Sequence, residues 1–126
     1  MDRRIIRTDA APAPIGPYSQ AVRTGNLLFI SGQIAIDPAT GMLDNADIAT
    51  ETHRVMRNLG EILRADGMHF GHVVKTTIFL SDMSLFGEVN SVYAGYMEGD
   101  FPARETVAVK GLPRDVRVEV SMIAAL

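Results

Sequence analysis

Val73-Val74-Lys75-Thr76-Thr77-Ile78-Phe79-Leu80 carries five β-branched residues and neither Gly nor Pro. That composition suits a strand packed inside a sheet. Helical spacing flanks it on both sides. Upstream, Ile48, Thr52, Val55, Met56, Leu59, Ile62 and Leu63 recur three and four residues apart, the stripe of an amphipathic helix. Asp47 can cap its start and Gly67 can end it. Downstream, Leu85, Phe86, Val89, Val92, Tyr93, Tyr96 and Met97 repeat the pattern, with Ser84 as the cap and Gly99 as the stop. Both stripes read as core.

Shorter strands lie outside this unit. Arg4 to Thr8, Gln20 to Thr24 and Leu27 to Ser31 precede the first helix, with Gly25-Asn26 as a hairpin turn. Thr106 to Val109 and Val116 to Ala124 close the chain. The order β-β-β-α-β-α-β-β predicts an α+β fold of two layers, one mixed sheet with two helices on one face. Residues 1–126 make one domain. Nothing in a chain this short covers the other sheet face, which would expose Leu27 or Leu28, Phe29 or Ile30, and part of Val73 to Leu80. An uncovered apolar face marks a partner surface, and a closed homo-oligomer covers it most simply.

Two loops stand out. Ala11-Pro12-Ala13-Pro14-Ile15-Gly16-Pro17 reads as an ordered crossing loop. Gly32 to Ala46 is long for a compact domain, a length that often serves function, and contains the turn Asp37-Pro38-Ala39-Thr40-Gly41.

Composition narrows the chemistry. A formal net charge of -3 and no basic run beyond Arg3-Arg4 argue against nucleic acid. The absence of Cys excludes disulfides, thiolate nucleophiles and Cys metal sites. No apolar run approaches a membrane span of about 20 residues, and the N-terminus lacks a signal-peptide core. The expectation is a soluble, cytoplasmic protein. His53, His69 and His72 lack a partner at metal-ligand spacing, so no metal site is expected. Ser31-Gly32 lacks the surroundings of a nucleophile elbow, and the glycines form no phosphate-binding fingerprint.

The last two strands offer one charged pair. If Lys110 to Asp115 connects a hairpin in which Val109 pairs with Val116, then Thr106 faces Glu119. Val107, Val109, Val116, Val118, Val120 and Met122 then share the helix-facing side. Arg104, Thr106, Ala108, Arg117, Glu119 and Ser121 share the other, and Arg104 and Glu119 become diagonal neighbours. By spacing alone, such a pair reads first as a salt bridge. In a cleft it could instead hold a carboxylate on the guanidinium and a water on the glutamate.

Five blocks resemble the RidA/YjgF family. They are Ile15-Gly16-Pro17-Tyr18-Ser19-Gln20-Ala21-Val22; Gly25 to Gln33 with Asp37-Pro38 and Gly41; Val73 to Met83; Phe101-Pro102-Ala103-Arg104; and Leu112-Pro113 with Val118-Glu119-Val120. The resemblance implies a chorismate-mutase-like homotrimer with sites in clefts between subunits. It implies hydrolysis of 2-imino and enamine acids, such as 2-aminoacrylate or 2-iminopropanoate, to 2-oxo acids and ammonia, without metal or organic cofactor. Residue by residue, it implies that Arg104 grips the substrate carboxylate and that Glu119 positions the water. It also implies that Tyr18, Ser31 and Asn90 line the pocket and that the Gly32 amide and the Thr106 backbone contact the ligand. Glu105 stands where many members have Ser. By alternation it points away from Arg104, toward the helix layer. Thr106 stands where some relatives have Cys.

Three other readings compete with this one. A non-catalytic trimer sensing small 2-oxo or fatty acids would keep Arg104 and dispense with Glu119. A deaminase of a larger enamine, such as an aminomuconate, would use the same residues. The RNA-cleaving or chaperone-like role ascribed to some family members is opposed by the acidic balance.

Overall fold

The computed structural model describes residues 2–126. Strands β1 (Arg3–Ile6), β2 (Ala21–Thr24), β3 (Leu27–Gln33), β4 (Val73–Leu80), β5 (Ala103–Ala108) and β6 (Val118–Ala125) form one sheet in the order β1-β2-β3-β6-β4-β5. Helix α1 (Ile48–Ala65) lies between β3 and β4, and α2 (Phe86–Ala94) between β4 and β5. The expected element order and two-layer architecture are both found. Among the described residues no helix is long and apolar enough to cross a membrane.

Helix α1 forms as its pattern requires. Asp47 accepts a hydrogen bond from Thr50 N at 2.8 Å, which satisfies one of the free amides of the first turn. Gly67 ends the helical run at φ +71°. Val55, Met56, Leu59, Ile62 and Leu63 are fully buried against Leu28, Ile30, Val118, Val120 and Met122 of the sheet. Helix α2 departs from its expected bounds. A single 3₁₀ turn, Met83–Leu85, precedes it. The cap of that turn is Asp82, which accepts from Ser84 N, so Ser84 is not the cap. The helix stops at Ala94 rather than running on to Gly99. Tyr96 N and Met97 N then bond three residues back, to Tyr93 O and Ala94 O, as a tightened last turn does.

The hairpin expected for β5 and β6 does not form. Strand β5 pairs parallel with β4, as Arg104↔Thr76 and Thr106↔Ile78. Strand β6 runs antiparallel between β3 and β4, with Phe79↔Glu119 and Ile30↔Met122. The connection instead makes a 3₁₀ turn at Pro113–Asp115, with Arg114 and Asp115 at positive φ. It delivers β6 into the middle of the sheet. The buried carboxylate of Glu51 on α1 receives Arg117 N at 2.8 Å, Arg117 Nε at 2.7 Å and Val118 N at 3.3 Å, tying down the start of β6.

The face assignments change accordingly. Val118, Val120 and Met122 are buried against the helices as expected. Val107 instead lies on the open face, in register with Phe79, and is exposed. Glu105 does point away from Arg104, but onto the open face and not toward the helices. There it accepts from Thr77 Oγ1 and pairs with Lys75 Nζ, each at 3.1 Å, and these contacts hold its carboxyl below the ordinary glutamate value. Ile5, Leu27 and Phe29 are exposed on the same face.

Candidate functional site

The site residues fall into two groups. The first surrounds Glu119 on the open face. Strand β3 is irregular between Ile30 and Gln33, and this bulge sets Ser31 and Gly32 beside the Glu119 carboxylate, where a Cβ on Gly32 would collide with it. Ser31 Oγ donates to Ser19 O at 2.6 Å, fixing the turn that carries Tyr18. Gln20 is buried and staples the Pro-rich loop. Its Oε1 accepts from Thr8 N at 2.8 Å and its Nε2 donates to Pro12 O at 2.8 Å. The result is a cleft of about 360 Å³ lined by Tyr18, Ser31, Gly32 and Glu119, with Pro12, Ile34 and Ile36 among its apolar walls. Half-burial in that cleft raises the Glu119 carboxyl above the ordinary glutamate value, through desolvation.

The second group surrounds Arg104. Its Nη1 donates to Asn90 Oδ1 at 2.7 Å. Its Cζ lies over the Phe86 ring at 5.7 Å and the Tyr93 ring at 5.2 Å. Asn90, Tyr93, Ala94, Phe101, Pro102 and Arg104 line a hollow of about 460 Å³. Among the described residues no carboxylate pairs with Arg104, so the cation has no fixed anionic partner. Thr106 is the next residue on the same side of β5, and its buried Oγ1 has no hydrogen-bond partner. Since β5 is an edge strand, part of its backbone has no partner in this chain.

Arg104 and Glu119 are therefore not diagonal neighbours. Arg104 is in register with Thr76, whose hydroxyl meets Tyr93 of α2, so it lies on the helix side. Glu119 is in register with Phe79, on the opposite face. Strand β4 separates the two.

The three histidines have structural roles. His53 Nδ1 meets Tyr96 OH at 2.8 Å, and His69 and His72 cap one short turn between them. Among the described residues no three His, Asp or Glu side chains converge as a metal site. Residue reading missed Phe86 and Tyr93 as neighbours of Arg104, although Phe86, Asn90 and Tyr93 stand at i, i+4 and i+7 of one helix. It also missed Gln20 as the staple of the cleft wall; a lone glutamine beside a Pro-rich loop gives no distinctive signal.

Comparison with known proteins fits this architecture. The sequence model of the family described as Endoribonuclease L-PSP, the RidA/YjgF family, matches residues 8–126. The chain belongs to the RidA/YjgF family. A mouse relative named 2-iminobutanoate/2-iminopropanoate deaminase is 48% identical over 122 residues, covering 97% of this chain and 90% of its own. A solved Thermotoga maritima structure is 50% identical with a TM-score of 0.95, covering 98% of this chain and 97% of that one. A Rid-family structure from Yersinia pestis is 42% identical with a TM-score of 0.96, covering 99% and 100%.

Proposed function

We propose that this chain is a cytoplasmic deaminase hydrolysing reactive 2-imino and enamine acids to 2-oxo acids and ammonia, in clefts shared by neighbouring copies of a homotrimer. One observation carries the reading. The chain bears an anion-gripping half around Arg104 and a water-holding half around Glu119, on opposite sheet faces with β4 between them. Neither half suffices alone, and a second copy supplies what the first lacks. The apolar open face, with Ile5, Leu27, Phe29 and Val107 exposed, is the surface on which copies meet. The name of the mouse relative supports the reaction class.

The chemistry follows from the groups. An enamine acid such as 2-aminoacrylate tautomerises to 2-iminopropanoate. The Arg104 guanidinium of one subunit holds its carboxylate, while Tyr18, Ser31, the Gly32 amide, Asn90 and the Thr106 backbone bound the pocket. Glu119 of the neighbour accepts a proton from water as the oxygen adds to the imine carbon. It returns that proton to the imine nitrogen, giving a carbinolamine. Glu119 then takes the hydroxyl proton and passes it to the amine, so that C=O forms as the C–N bond breaks, and ammonia and pyruvate result. The imine carbon is already electrophilic, so no metal or organic cofactor is called for. Such imines hydrolyse unaided, and acid–base help of about 10²–10⁴-fold suffices.

The test supplies 2-aminoacrylate made in situ by a dehydratase and follows pyruvate. The protein should accelerate its release, and Arg104→Ala should abolish the acceleration. Equal rates with the variant would overturn the proposal.

A further inference from the structure

A cation intended to grip a carboxylate needs a fixed direction without a resident anion to fix it. A side-chain carboxylate beside Arg104 would occupy the donors that the substrate needs. The structure holds Arg104 by other means. Phe86, Asn90 and Tyr93 project from one side of α2 at i, i+4 and i+7. The two rings lie under the guanidinium carbon, and Asn90 takes one N–H of Nη1. A ring face attracts a cation through its quadrupole and uses no dedicated N–H donor. An arginine carries five N–H groups, and the rest of its fork stays available for a planar anion.

Tyr93 is itself anchored. It is 5% exposed, and its hydroxyl donates to Thr76 Oγ1 at 3.0 Å. Thr76 is the residue of β4 directly paired with Arg104 on β5. The same strand pairing thus fixes both the ring and the backbone of the arginine it supports.

We propose that Phe86 and Tyr93 are positioning residues, whose ring faces aim the Arg104 guanidinium and leave its donors free for the substrate carboxylate. This rests on the deaminase reading for its substrate, while the clamp itself can be read on the free protein.

The experiment compares Tyr93→Leu, Phe86→Leu and Tyr93→Phe, with Ile62→Ala in the remote core as a control for lost stability. In imine hydrolysis each leucine variant should raise KM roughly 2- to 30-fold, with kcat changing less. Tyr93→Phe keeps the ring but loses the bond to Thr76, and should raise KM clearly less than Tyr93→Leu does. Ile62→Ala should lower Tm without moving KM. By NMR, the Arg104 Nε–H resonance should carry a ring-current shift in the wild type and in Tyr93→Phe, and lose much of it in Tyr93→Leu. Leucine variants with wild-type KM and an unmoved resonance would overturn the proposal, as would Tyr93→Phe being as impaired as Tyr93→Leu. A wild type without hydrolysis would instead defeat the deaminase reading, and the clamp would still be decided by the resonance.

Discussion

Gly32 faces the Glu119 carboxylate so closely that a Cβ at Gly32 would overlap Oε2 and lie 2.9 Å from Cδ. The missing side chain is therefore the space that the carboxylate occupies. Gly32 is not among the glycines at positive φ, so alanine is acceptable to the backbone. Gly32→Ala should fold with nearly wild-type Tm but push Glu119 aside. A displacement on the order of 1 Å costs up to about 100-fold in rate, so kcat should fall about 10- to 100-fold. Pyruvate release and a thermal melt check both halves. A fully active alanine variant would show that the position of Glu119 is unimportant.

Glu119 also sets a pH dependence. Desolvation raises its carboxyl above the ordinary glutamate value. In the proposed reaction the ionised form takes the proton from water, so activity should fall as pH drops through that raised value, sooner than for a solvated glutamate. Stability runs the other way. The folded-state value lies above the unfolded one, so the favourable contribution is present below the unfolded value and is lost as pH rises through the folded one. Glu119→Gln should therefore cut hydrolysis by about 10²–10⁴-fold, with a small gain in Tm at neutral pH that disappears in acid. Rate profiles and melts across pH measure both.

Gln20 fixes the wall of the same cleft. It is 3% exposed and bonds Thr8 N, Thr8 O and Pro12 O. Gln20→Leu keeps much of the volume but strips partners from the buried Ala11 carbonyl and from the part-buried backbone groups of Thr8 and Pro12, at a cost of about 2–4 kcal/mol. Urea denaturation should show that loss. KM should rise as well, because Pro12 and Ala13 border the cleft, and a variant with a firm wall and unchanged KM would separate the loop from binding.

How much of this could be read from residues alone depended on the kind of signal. The bounds of β4 and the core stripe of α1 are legible because burial imposes a period, and Asp47 and Gly67 mark the ends of α1 by local chemistry. The residues of the candidate site were legible through the resemblance. The relation between Arg104 and Glu119 was not. A strand's alternation says which residues share a face, but not which strand lies beside it. A short polar connection between two strand-like runs reads as a hairpin, whereas Pro113–Asp115 turns β6 away to lie between β3 and β4. The apolar spacing of α2 continues through Tyr96 and Met97, so periodicity alone predicts a longer helix than the one that ends at Ala94, with both residues held in turns beyond it.

The placement of Arg104 and Glu119 yields the sharpest prediction. If each site takes Arg104 from one subunit and Glu119 from the next, Arg104→Ala and Glu119→Ala homotrimers are both inactive. In any mixed trimer, one boundary joins the intact glutamate of an Arg104→Ala subunit to the intact arginine of a Glu119→Ala subunit. Closed three-fold symmetry gives one good site per mixed trimer, so random equal mixing should restore about a quarter of wild-type activity. The variants are refolded together and pyruvate release is followed, with each variant refolded alone as the baseline. Phe29→Arg places a charge on the open face, and should both break the assembly on a sizing column and abolish hydrolysis. Co-refolded variants that stay inactive while still forming mixed trimers would mean that the two halves never meet across a subunit boundary.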